Sequence, residues 1–290
     1  MIYLLLSVLA SSTIFVVFKL FDRYKVDTFQ AIVMNYVTAC ASGLIAFNQP
    51  VTVDQVISSS WFYGALLLGV LFIVVFNVMA ITTQRSGLSV VSVASKMSVA
   101  LPVVFGIAVY HESTGFLKLL GIILALVAVY LASIKSTSGI SIDKKNLVYP
   151  LMVFLGSGVI DTSLKYLETN YVPAEETPLF SSGIFAVAAV IGLSVMLFQY
   201  IKTKKQISVK SILAGIILGV PNYFSIYFLI KALKAPGFES STVFTVNNVS
   251  IVMVSTALGI ILFKERLILK NWIGIGLAIL SILLVAYASL

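Results

Sequence analysis

WFYGALLLGVLFIVVFNVMAITT, residues 61 to 83, contains no charged side chain. At 1.5 Å of rise per residue, a helix of about 20 residues crosses the ~30 Å hydrocarbon core of a bilayer. The run is continuously apolar, without the alternation of a barrel strand, so a helix that satisfies its own backbone is the fitting element. Comparable runs lie at residues 2–21, 28–47, 88–110, 115–134, 147–167, 179–201, 211–231, 238–262 and 268–288. The whole chain of 290 residues is 60% hydrophobic and only 10% charged, with a mean hydropathy of +1.08. A soluble domain carries roughly 25% charged residues. The expectation is therefore an all-α polytopic membrane protein with ten transmembrane helices and short connections. The first run leads into charged Lys19 to Lys25 rather than a cleavage site, and reads as a retained span.

Cys40 and His111 are the single cysteine and histidine, and no HExxH, CxxC or Gly-rich phosphate loop occurs. These residues predict no metal, no cofactor and no disulfide framework. The net charge of +8 reports topology and anionic headgroups here, not a nucleic-acid partner. With ten spans both termini share one face, which also receives Lys118, Lys165, Lys231 and Lys234. The opposite face receives Lys19, Arg23, Lys25, Arg85, Lys135, Lys144, Lys145, Lys202, Lys204, Lys205, Lys210, Lys264, Arg266 and Lys270. The positive-inside rule then places both termini outside the cell membrane.

The two halves can be laid over one another. Gly69-Val70 recurs as Gly219-Val220 and Ser86-Gly87-Leu88 as Pro236-Gly237-Phe238, with Ser92 and Ser95 opposite Thr242 and Thr245. Glu112 with Gly121 then matches Glu265 with Gly274. The organisation read from this is a first five-helix repeat at 1–134, a connection at 135–146 and a second repeat at 147–290. Five is odd, so the second copy is inverted, an arrangement typical of secondary transporters with a site near the midplane.

The 5 + 5 arrangement, the length and the paired glutamate-then-glycine pattern resemble the drug/metabolite transporter superfamily, EamA type, over essentially the whole chain. The resemblance implies a secondary transporter of small metabolites such as amino acids, nucleotide sugars or phosphorylated sugars. It also implies cytoplasmic termini, against the charge argument.

Two ionisable side chains lie deep in spans, where a charge costs a few kcal/mol and marks a functional site. Lys96 sits in the fourth span with Ser92 and Ser95. Asp161 sits in the sixth, with Lys165 one turn on as an alternative intrahelical partner. Thr245, Asn247 and Asn248 form the counterpart of the Lys96 segment in the ninth span, and Asn77, Asn222, Tyr227 and Ser11 add polar groups elsewhere. All are candidates for a central substrate cavity. Pro102 and Pro221 interrupt helices and are hinge candidates. Glu112 and Glu265 read as junction caps or ion pairs, and aromatics such as Trp61 and Trp272 as interfacial anchors or packing.

The expected function is a secondary transporter moving a small polar or amphipathic solute, amino-acid-like or related, by alternating access, with proton coupling or exchange. A membrane-embedded enzyme on a lipid, a channel and a scaffold are the other readings. The partners expected are the solute and the lipid bilayer, with a monomer plausible.

Overall fold

A computed structural model describes residues 2–86, 94–133, 148–204, 206–237, 239–264 and 267–288, and among these every regular element is a helix. In chain order they are α1 (Ile2–Arg23), α2 (Thr28–Phe47), α3 (Val53–Ser58), α4 (Phe62–Ser86), α5 (Ala100–Tyr110) and α6 (Phe116–Ser133). The second half supplies α7 (Val148–Asn170), α8 (Thr177–Thr203), α9 (Val209–Leu233), α10 (Ser240–Phe263) and α11 (Leu269–Tyr287). Nine of the expected spans correspond to one helix each. The span expected at 88–110 is described from residue 94, as a helical turn at 94–97 followed by α5. The short α3 lies in the connection between the second and third spans; the Thr52 hydroxyl caps it by accepting from the Gln55 N–H at 3.2 Å.

Helix ends are set by local chemistry. Asp27 caps α2 by accepting from the Gln30 N–H at 3.1 Å. Asn48, His111, Lys204 and Lys264 end α2, α5, α8 and α10 in left-handed conformations with φ of 50 to 53°. That geometry returns an N–H to the last turn, satisfying carbonyls that a helix end leaves open.

The chain divides into two compact units, Met1–Val74 with Tyr166–Lys234, and Val75–Lys165 with Ala235–Leu290. Each draws on both sequence halves. In the first unit α2 packs against α9 and α8, and α1 against α9. The approach of α9 to α2 rests on Gly215 and Gly219: a Cβ at Gly215 would lie 2.4 Å from the Ala31 carbonyl oxygen, and one at Gly219 2.7 Å from that of Asn35. Small residues four apart let two backbones meet, which is how apolar helices gain van der Waals contact where lipid is as oily as the side chains. Trp61, read from the sequence as an interfacial anchor or a packing residue, is fully enclosed, with its indole N–H donating to the Glu176 carboxylate and its ring edge-on to Phe180.

In the second unit α6 packs along α11, and α10 against α5, α6 and α11. Gly121 faces Val285, and the Ser281 hydroxyl donates to the Gly121 carbonyl at 2.8 Å. Ala125, Ala128, Val129, Val249, Val252 and Ala278 fill the centre. Spans that the sequence reading pairs as repeat counterparts meet within units: α2 with α8, α5 with α10 and α6 with α11.

Gly215→Ala is expected to lower the thermal unfolding temperature in detergent, at a cost of about 1–3 kcal/mol, because the obstructing atom is backbone. Gly276, helical and with nothing within 4 Å of an added Cβ, should tolerate alanine and gain up to ~1 kcal/mol of helix propensity.

Candidate functional site

Lys96 occupies the helical turn before α5. The helix is interrupted after it by three-residue bonding: Val99 N–H to the Lys96 carbonyl at 3.4 Å, the Ser98 hydroxyl to the Ser95 carbonyl at 2.6 Å, and Leu101 N–H to the Ser98 carbonyl at 2.9 Å. The Lys96 ammonium donates to Asn248 Oδ1 at 3.2 Å. Asn248, buried on α10, donates its own amide N–H to the Phe244 carbonyl at 3.1 Å, which turns its oxygen toward the lysine. Asp161 reaches this neighbourhood because of Gly158, one turn earlier on α7. A Cβ there would lie 2.1 Å from Leu101, so α7 and α5 touch at the glycine. The Lys96 and Asp161 charges interact, and both side chains are half-buried. Opposite charges offset part of each other's desolvation in such surroundings. Lys165, one turn beyond Asp161, holds its ammonium over the Tyr110 ring, 5.8 Å from the centroid.

Farther along α10, Thr245 and Asn247 are buried, and Thr245 Oγ1 and Asn247 Oδ1 have no hydrogen-bond partner. Each such group costs about 1–3 kcal/mol. Ser95 lies beside Lys96, half-exposed, and contributes its carbonyl to the turn. Lys96, Asp161, Asn248, Asn247, Thr245 and Ser95 therefore all belong to the second unit. Asn77 belongs to it too, but is exposed on α4; Ser92 lies outside the described residues.

Asn222, Tyr227 and Ser11 belong to the first unit. The Asn222 amide donates to Asn35 Oδ1 at 3.1 Å, linking α9 to α2 through two buried side chains. Tyr227 stacks on Tyr223 with centroids 5.7 Å apart, with the Lys231 ammonium over its ring, and Ser11 is half-buried on α1. Pro221 lies inside a continuous α9. Pro102 lies in the first turn of α5, where a missing N–H forfeits no helical bond; the interruption expected at Pro102 falls just before it, at Ser98 and Val99.

A second polar cluster closes one end of this unit. The Glu112 carboxylate accepts from the Ser240 and Ser241 N–H groups at 2.9 and 3.0 Å and from the Ser240 hydroxyl, so it caps α10 from the α5–α6 junction. Glu239 answers by accepting from the Ser113 N–H at 2.8 Å, the Ser113 hydroxyl at 2.9 Å and the Lys118 ammonium. Lys118 is fully enclosed between Glu239 and Glu112, the latter at 3.8 Å. The reading of Glu112 as a junction cap agrees with this; Glu265 lies outside the described residues. Lys118 and Glu239 were missed. The available signal was a lysine in the first turn of an apolar helix, where the helix dipole disfavours a cation unless carboxylates surround it. Partial burial raises the Glu239 carboxyl, but the bonds from Lys118 and Ser113 outweigh it and hold the group below its ordinary range. Among the described residues no three His, Cys, Asp or Glu side chains gather as a metal site.

The model of the EamA-like transporter family matches residues 1–134 and 150–287. An uncharacterized protein of Haemophilus influenzae is 27% identical over 289 residues, covering 98% of this chain and 97% of that protein. A protein known from a crystal structure superposes with a TM-score of 0.80 at 13% identity, over 99% of this chain and 96% of the other, a likeness of fold alone.

The clasp predicts an acid-side weakness. A carboxyl held below its ordinary range contributes stability at neutral pH and loses it as pH falls through the depressed value. Below about pH 4.5 the melting temperature of the wild type should therefore fall more steeply than that of Glu239→Gln. At neutral pH, Glu112→Ala should cost about 3 kcal/mol, since it uncaps α10 and takes one carboxylate from a buried lysine.

Proposed function

Since this chain belongs to the EamA-like transporter family, we propose that it is a secondary transporter of a small polar or amphipathic solute, working by alternating access. It is an integral multi-pass membrane protein, and no nucleotide-binding motif offers an ATP-driven route, so transport is facilitated or is coupled to protons or to an exchanged solute. The observation that supports the assignment of the site is Lys96, oriented by Asn248 and within electrostatic reach of Asp161. Lys96 meets a carboxylate or phosphate on the solute, Asp161 an amine, and Asn248 holds the lysine in place. A solute with both groups, amino-acid-like in its polar end, matches both charges. Thr245 and Asn247 lend neutral hydrogen-bonding capacity to the same region.

The site of action is the cell (inner) membrane. The cation bias puts both termini outside, whereas the family pattern puts them in the cytoplasm. A C-terminal alkaline phosphatase or fluorescent fusion separates the two: phosphatase activity without fluorescence supports external termini.

Counterflow in liposomes tests the site. Uptake of amino acids or sugar phosphates should saturate in the wild type. In Lys96→Ala or Asp161→Asn it should fall roughly tenfold or more, the loss that follows removal of one charge-assisted hydrogen bond. Wild-type uptake in both variants would remove these residues from the site, and linear flux without saturation would point to a channel. The same liposomes with an imposed pH gradient test proton coupling.

A further inference from the structure

The first unit differs in charge between its two ends. Around the start of α4 and the α7–α8 junction lie the acids Glu168, Glu175 and Glu176, with Ser60 donating to the Tyr171 carbonyl and Trp61 to Glu176. At the other end the α1–α2 turn is fastened to the α8–α9 connection by direct bonds. Gln30, only 3% exposed, donates to the Gln206 carbonyl at 2.9 Å and accepts from the Ser208 N–H at 2.9 Å. The Asp27 N–H donates to the Ser211 hydroxyl at 3.0 Å, and the Lys210 ammonium to the Tyr24 carbonyl at 3.3 Å.

These bonds turn two segments that are distant in sequence into one rim. Arg23, Lys25, Lys202, Lys204 and Lys210 are all exposed on it. The acids of the same segments are Asp22 and Asp27, and the Asp27 carboxylate is engaged as the α2 cap. Directly beside the cations, large apolar side chains are also exposed: Tyr24 at 56%, Phe198 at 62% and Ile201 at 70%. The Lys202 ammonium stands 5.5 Å from the centroid of the Phe198 ring.

We propose that this rim binds the headgroup of an anionic phospholipid, with its phosphate between the α1–α2 turn and the α8–α9 connection. A dissolved anion would need only the cations. A lipid also accounts for the exposed rings and aliphatic groups next to them, which meet acyl chains at the level where helices leave the hydrocarbon. The bound lipid would reinforce the join between the α1–α2 turn and the α8–α9 connection. Because the Gln30 and Asp27 bonds fix both segments beforehand, little ordering is required on binding.

The full-length protein in detergent is titrated with phosphatidylglycerol or phosphatidylcholine, and followed by thermal unfolding and native mass spectrometry. Phosphatidylglycerol should raise the melting temperature and remain bound, and phosphatidylcholine should do neither. Removing each cation should weaken binding about fivefold, so Lys204→Gln with Lys210→Gln should lose roughly 25-fold. Lys202→Gln alone, at an exposed side chain outside the Lys210–Tyr24 bond, should lose about fivefold and covers the case in which the double variant fails to fold. Lys264→Gln, in the other unit, should bind as the wild type does. Equal stabilisation by phosphatidylcholine, an undiminished response in the rim variants, an equal loss in Lys264→Gln, or the same stabilisation by inorganic phosphate alone would each overturn the proposal.

Discussion

Hydrocarbon supplies no partner for a peptide N–H or C=O, and every other feature of this chain follows from that constraint. It compels helices, and then makes their association depend on close backbone approach, since burying a leucine away from a lipid tail gains little. The glycines are where this is resolved. Gly215 and Gly219 bring α9 onto α2, and that approach places Asn222 within hydrogen-bonding distance of Asn35. Gly158 brings α7 onto Leu101, and that approach carries Asp161 toward Lys96. Polar contact in the interior is thus a consequence of where side chains are missing.

The spans were legible because a bilayer imposes one length on all of them, so an apolar run such as residues 61–83 has a single interpretation. The recurrence between the halves has a related physical basis: Gly219 and the Glu112 to Gly121 spacing serve tight approaches and helix ends, for which few residue types substitute. Partners were not legible. Asn222 was grouped with the cavity because an asparagine in a span needs something polar, but nothing local indicates that Asn35 supplies it. Likewise Pro102 interrupts a continuous apolar run on paper, whereas the tighter turn at Ser98 and Val99 makes it an ordinary first-turn proline. Interior polarity could be read from the sequence; which of its members share a unit depended on packing.

The two ends of the second unit do the same work with different chemistry. By the offset that relates Gly121 to Gly274, Lys118 corresponds to Asn271. Lys118 binds Glu239 at the start of α6, whereas Asn271 at the start of α11 donates to the Leu131 carbonyl at 3.0 Å and accepts from the Ile268 N–H at 3.0 Å. Both tie a helix start to a neighbouring segment. Of these two ties only the lysine version carries charge, so the positions that the sequence offset pairs are held by different chemistry.

The contrast between the two interior lysines bears most directly on function. Lys118 is fully enclosed, with one carboxylate bonded to it and a second at 3.8 Å; its charge is answered within the protein, and it can do little except hold α10 and α6 together. Lys96 is half-buried, bonded to a neutral amide, with Asp161 acting through its charge. An apolar pair of similar volume would often be neutral or more stable than charges set in such a place. Stability therefore does not explain Lys96 and Asp161, and that is the ground on which we propose them as the place where a charged solute is recognised.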